Sequence, residues 1–267
     1  MKTTGAWLLL SLMALSLSCT APPDCFTPRP AAPSSCVTLE RLSLVLRAGE
    51  FSPELESLCS HECIDHAGLL SVQGYTSLTE VPLLAKMREV GDLEVFVDTV
   101  TDLRGLESVR VKALSLQGNA RRGGVEPPAR LSSLQGLRQE SLPVLVLSDT
   151  YGTLSGSELR HVDRLSLSNV GAVDIDVSSF TLGTLVVSSS HELQSIRLGG
   201  GTMGEVNLQA NSELTSREWD PSLRVTSRVD ISRNRRLSTC RARAFADATR
   251  DTRDAGTDRV EANGPCP

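Results

Sequence analysis

The stretch Met203-Gly-Glu-Val206-Asn-Leu208-Gln-Ala-Asn211-Ser-Glu-Leu214 decides the fold. In a strand, alternate side chains face opposite sides, so Val206 and Leu208 point the same way, into a core. An asparagine just beyond them can turn inward at a corner and bond the backbone of a neighbouring coil. Leu214, past the turn, then fills the opposite wall. The same L-x-x-L-x-L core recurs, its inner L-x-L pair starting at Leu70, Leu93, Leu114, Leu145, Leu165, Leu185, Val206 and Val229. The intervals are 23, 21, 31, 20, 20, 21 and 23 residues. Such periodicity marks a solenoid, in which each coil buries its apolar face only against its neighbours. About eight coils stacked as a parallel sheet at ~4.8 Å per strand make a body roughly 35 Å long.

The asparagine is not constant. It stands at Asn119, Asn211 and Asn234, is replaced by Tyr75, Asp98, Thr150 or Ser190 in other copies, and falls one place early at Asn169. The interval from Leu114 to Leu145 carries an insertion, residues 119–141, with Arg121 and Arg122 beside a glycine pair. Insertions in repeat arrays form loops that often carry recognition, so the two arginines are candidate contacts for an acidic partner, although surface loops also lengthen at little entropic cost.

The N-terminus reads as an export signal, residues 1–18: Lys2, then an apolar run from Ala6 to Leu17 that is too short for a membrane-spanning helix of about 20 residues. Ser16-Leu17-Ser18-Cys19 resembles a bacterial lipobox, which implies acylation of Cys19 and a membrane anchor; it departs from the usual pattern in having Ser16 where Leu is customary. Cysteine parity supports that reading. The chain has seven cysteines, and lipid on Cys19 leaves an even six (Cys25, Cys36, Cys59, Cys63, Cys240, Cys266) for disulfides in an oxidising compartment. Thr20 follows Cys19 where an inner-membrane retention signal would place Asp, which favours the outer membrane; without acylation the protein would be secreted. Residues 19–35 hold five prolines and suit an extended tether.

Residues 36–66 are expected to be a Cys-bracketed N-terminal cap, with Leu39 to Leu58 mostly helical or mixed, residues 67–239 the repeats, and 240–267 a helical C-terminal cap. In that last segment Ala242, Phe245 and Ala246 form an apolar helical face, and Cys240–Cys266 is the expected disulfide because no other cysteine lies nearby. The four N-terminal cysteines allow three pairings. With its irregular copies and Cys36, Cys59 and Cys63 just ahead of Leu70-Ser71-Val72, the chain resembles receptor L domains and, more loosely, leucine-rich repeats. That likeness implies a mainly β, right-handed parallel β-solenoid with disulfide-tied caps.

For chemistry the sequence offers little. A net charge of −5 without a basic stripe argues against nucleic acid. Cys59-Ser-His61-Glu-Cys63-Ile-Asp-His66 holds zinc-ligand types, but the spacing is cramped and disulfides claim the cysteines more simply, so no metal and no cofactor is expected. The outward strand positions are rich in Ser, and the carboxylates Glu94 and Asp230 fall at opposite ends, so no pair stands at general acid and base spacing. His161 and His191 belong to separate coils. No catalytic residue is assigned. Trp219, the one Trp beyond the signal, is a candidate contact on a loop. The expectation is a non-catalytic envelope lipoprotein whose solenoid face meets envelope or surface proteins. A secreted β-solenoid polysaccharide hydrolase or lyase is the alternative, and a sugar-binding L-domain sensor using Trp219 or Tyr75 is a third.

Overall fold

A computed structural model describes residues 25–27, 36–45, 57–61, 63–97, 100–118, 130–131, 133–152, 154, 157–250 and 258–266. The front wall is a ten-stranded, all-parallel sheet whose strands follow one another in chain order. They are β1 (Cys36–Val45), β2 (Cys63–Gln73), β3 (Met87–Phe96), β4 (Arg110–Gln117), β6 (Ser141–Ser148), β8 (His161–Ser168), β10 (Thr181–Ser188), β12 (Thr202–Gln209), β14 (Arg224–Ser232) and β15 (Arg259–Glu261). The rear wall is split. One piece pairs β5 (Arg130–Leu131) with β7 (Tyr151–Gly152), and the other stacks β9 (Asp174–Val177), β11 (Ser195–Leu198) and β13 (Ser216–Trp219). The chain is therefore a parallel β-solenoid. Its eight L-x-L copies bound seven turns, and ten strands at ~4.8 Å give a front wall about 43 Å long.

Every L-x-L pair is buried, from Leu70 and Val72 to Val229 and Ile231. The leading apolar residue of most copies, such as Leu142, Val162, Leu182 or Met203, is also inward. Since it lies three residues before the next inward position rather than two, each strand must bend between them. Glycines sit at this bend in several coils. A Cβ on Gly91 would lie 2.5 Å from the Gly68 carbonyl oxygen, so the coils meet there backbone to backbone.

A second corner follows the strand. Asp149, Asn169, Ser189, Ala210, Arg233 and Ala262 all adopt φ between 50° and 61°. Left-handed backbone costs a non-glycine residue roughly 1 kcal/mol. At this corner it turns the next side chain inward, and the N–H of the turning residue stays in register: Ala210 donates to Ser232 and Ser189 to Gln209, each at 3.0 Å. The inward residues form a polar ladder. Ser190 N–H donates to Asn211 Oδ1, Asn211 N–H to Asn234 Oδ1, and Asn234 N–H to Asn263 Oδ1, all at 3.0 Å. The carboxamides donate back: Asn211 Nδ2 to the Val187 carbonyl, Asn234 to Leu208 and Asn263 to Ile231. In the Leu165 copy the inward place is Val170, while the early Asn169 faces outward and bonds Asp149 at 2.6 Å.

The ends are stapled by disulfides Cys25–Cys59, Cys36–Cys63 and Cys240–Cys266. The first two choose one of the three open N-terminal pairings. The segment expected to be helical or mixed from Leu39 is instead strand to Val45, paired with β2 in the register Leu42↔Leu70 and Leu44↔Val72. The reason is a further copy of the motif, Leu39-Glu-Arg-Leu42-Ser-Leu44, which buries Leu44 in the same column. At the other end, α1 (Thr239–Ala248) starts at Ser238, whose hydroxyl accepts from the Arg241 N–H, and buries Ala242, Phe245 and Ala246 as expected.

Candidate functional site

The front face is built of two outward columns in exact coil-to-coil register. One runs Ser71, Glu94, Ser115, Val146, Ser166, Val186, Asn207, Asp230. The other runs Phe96, Gln117, Ser148, Ser168, Ser188, Gln209, Ser232. From Ser115 to Gln209 these side chains are half-buried, shielded by their own neighbours in the stack. At the C-terminal end the face changes character. Asp230, outward by register, is buried at 1 % exposure: Arg228 donates to it at 2.8 Å and Ser232 at 2.9 Å, and Arg259 stands opposite in β15. At the N-terminal end Glu89 accepts from Lys112 at 2.7 Å and meets His66 at 3.1 Å. The Lys112 ammonium, helped by His66, holds the Glu89 carboxyl below the usual range against a smaller opposing effect of burial.

The cysteines of the Cys/His stretch go to different partners, Cys59 to Cys25 and Cys63 to Cys36. Buried Lys86 donates to the carbonyls of Cys59 (2.6 Å) and His61 (3.2 Å), tying this turn to the first coils. His161 opens β8 and bonds Asp163 at 2.7 Å, while His191 lies at a corner near Ser212. Tyr75 is buried, which raises its phenol pKa. It is no exposed platform for a sugar.

Trp219 is not on a loop. It ends β13, half-buried, with its ring edge-on to Phe245 at 5.2 Å. Between them lies a residue that the sequence reading passed over. Arg217 faces inward beneath Ile196 in the rear column, with its guanidinium 5.5 Å from the Trp219 ring centre and 5.1 Å from that of Phe245. Its Nε and Nη1 are enclosed without a hydrogen-bond partner among the described residues. Burial, with a contribution from nearby Arg241, lowers its pKa to about 10. Two ring faces substitute in part for the missing water and counter-charge. Only the alternation inward–outward in Ser-Arg-Glu-Trp could have flagged it.

Among the described residues, β7 and β9 of the rear wall do not pair. There a cavity of about 350 Å³ reaches between the walls to Leu147 and Leu167 of the front sheet and Ile175 and Phe180 of the rear. Its lining also includes Thr150 and Val170, with Asp174 and Asp176 of β9 among the lining residues. The break falls where Val170 interrupts the polar ladder, and Thr150 Oγ1 is buried there without a partner among the described residues.

Arg121, Arg122 and Cys19 lie outside the described residues. Among the described residues no three His, Cys, Asp or Glu side chains gather as a metal site, and no helix is long and apolar enough to cross a membrane. Comparison of the chain with protein-family models, with curated proteins and with solved structures returned no match.

Proposed function

We propose that this chain is an exported, non-catalytic envelope lipoprotein, anchored through acylated Cys19 and presenting its rigid front face to other envelope or surface proteins. One observation carries the reading. Six of the seven cysteines pair among themselves, which leaves Cys19 as the odd one, where a lipid would sit. Three disulfides also suit an oxidising compartment. The front face fits a docking role: small, neutral, half-buried side chains held on a sheet need little ordering when a partner lands. Its likeness to receptor L domains, which use such faces for recognition, belongs to the same reading, as does placement at the outer membrane.

The test is mass spectrometry of the N-terminal peptide and membrane fractionation, for wild type and Cys19→Ala. A diacylglyceryl-modified Cys19 and release of the variant to the soluble fraction are expected. Cross-linking in envelope fractions with Ser166→Arg and Ser168→Arg should then lose the partner that wild type captures. An unmodified Cys19, or capture indifferent to both arginines, overturns the anchor or the face respectively.

A further inference from the structure

We propose that the gap in the rear wall is a binding site for a small cationic amphiphile, an apolar body carrying an amine. This does not rest on the front-face reading, since the two lie on opposite walls. The cavity, about 350 Å³, is of the size that ligand sites occupy. It lies where, among the described residues, β7 and β9 do not pair, and Leu167, Val170, Ile175 and Phe180 line it.

Two polar features give the site its chemistry. Thr150 Oγ1, fully buried, has no partner among the described residues, so a ligand donor or acceptor reaching it would complete a hydrogen bond. Asp174 and Asp176 both line the cavity, but they differ. Asp176 is neutralised by Arg197 at 3.1 Å, and the Ser178 hydroxyl and N–H also bond it. Asp174 accepts only from the Ser195 hydroxyl and has no cation beside it among the described residues. One uncompensated carboxylate among the lining of an apolar cavity selects for a positive head group and against an anionic one. Val173, between lining residues Ala172 and Asp174, is 47 % exposed and extends the apolar surface around the site.

The probes are 2-phenylethylamine, 2-phenylethanol and 3-phenylpropionate, titrated into the oxidised full chain and followed by ligand-observed NMR and calorimetry. The amine is expected to bind best, the alcohol about five-fold more weakly and the carboxylate not measurably. Asp174→Asn, an exposed change that should fold normally, is expected to erase the amine's advantage over the alcohol. Ala172→Phe, which fills the cavity, should abolish binding of both while circular dichroism and melting remain those of the wild type. If Ala172→Phe does not fold, Thr150→Val supplies the check, since it keeps the shape and should weaken both the amine and the alcohol. Equal binding of amine and carboxylate, binding indifferent to Asp174→Asn, or no binding by any probe overturns the proposal.

Discussion

Replacing Asn211 by Ala tests the polar ladder as a structural element. The carboxamide is wholly buried, accepts the Ser190 N–H at 3.0 Å, and donates to the Val187 carbonyl at 3.1 Å and to Asn234 Oδ1 at 3.2 Å. Alanine removes all three. Asn234 Oδ1 still holds the Asn211 N–H, so its loss is minor, but the Ser190 N–H and Val187 carbonyl lose a partner away from water. At about 1–2 kcal/mol for each orphaned group, the variant should lose about 3 kcal/mol. The control is Asn169→Gly, the same residue type one place earlier at a corner. Asn169 is exposed, with φ of 50°, a conformation glycine accepts, so that change should stay within about 0.5 kcal/mol. Urea unfolding of the oxidised proteins gives the two energies, and hydrogen exchange should show the Ser190 amide losing protection in Asn211→Ala alone. Comparable costs for the two variants, or a Ser190 amide as protected as before, would refute the claim that inward asparagines hold the corners.

Three further outcomes follow from the geometry. Replacing both Cys240 and Cys266 by Ser opens a loop of 26-residue separation and should cost about 3.5 kcal/mol on the chain-entropy view, seen as earlier melting that begins at α1. Arg217→Met should stabilise the fold by about 1 kcal/mol. Lowering the guanidinium from its ordinary value to about 10 corresponds to roughly 3 kcal/mol against the folded state, and the two aromatic contacts return about 2 of it; a lower urea midpoint would contradict this. Glu89 is held below its ordinary pKa, so its contribution is full above about 4.5 and lost as pH falls through the lower folded value. Lys112→Met should therefore move the acid-unfolding midpoint upward, and an unchanged midpoint would show the pair to be inert.

The repeat was legible because every coil solves one problem, burying two residues of a strand against the same two in the next coil. The C-terminal helix and its disulfide were legible for similar reasons, since an apolar face at helical spacing and an isolated cysteine pair leave few choices. β1 was missed although Leu39, Leu42 and Leu44 carry the same spacing, because the surrounding cysteines suggested a cap and Glu40 and Arg41 diluted the pattern. Asp230 was placed correctly by register but not by burial, which depends on Arg228 and on β15, a strand of only three residues with little pattern of its own. The cavity could not be read at all. It lies where, among the described residues, β7 and β9 of consecutive coils do not pair, and a pairing that fails leaves no periodic trace in the sequence.

The corner amides have a direction. Each of Ser190, Asn211 and Asn234 is satisfied by a side chain that arrives later in synthesis, and the last of these, Asn263, lies three residues before the final cysteine. A nascent chain leaving the ribosome N-terminus first thus carries an unfinished rim that migrates with each added coil. Among the described residues Asn263 is the last such partner, so removing the segment that carries it should unravel order backward through the stack instead of merely trimming its tip.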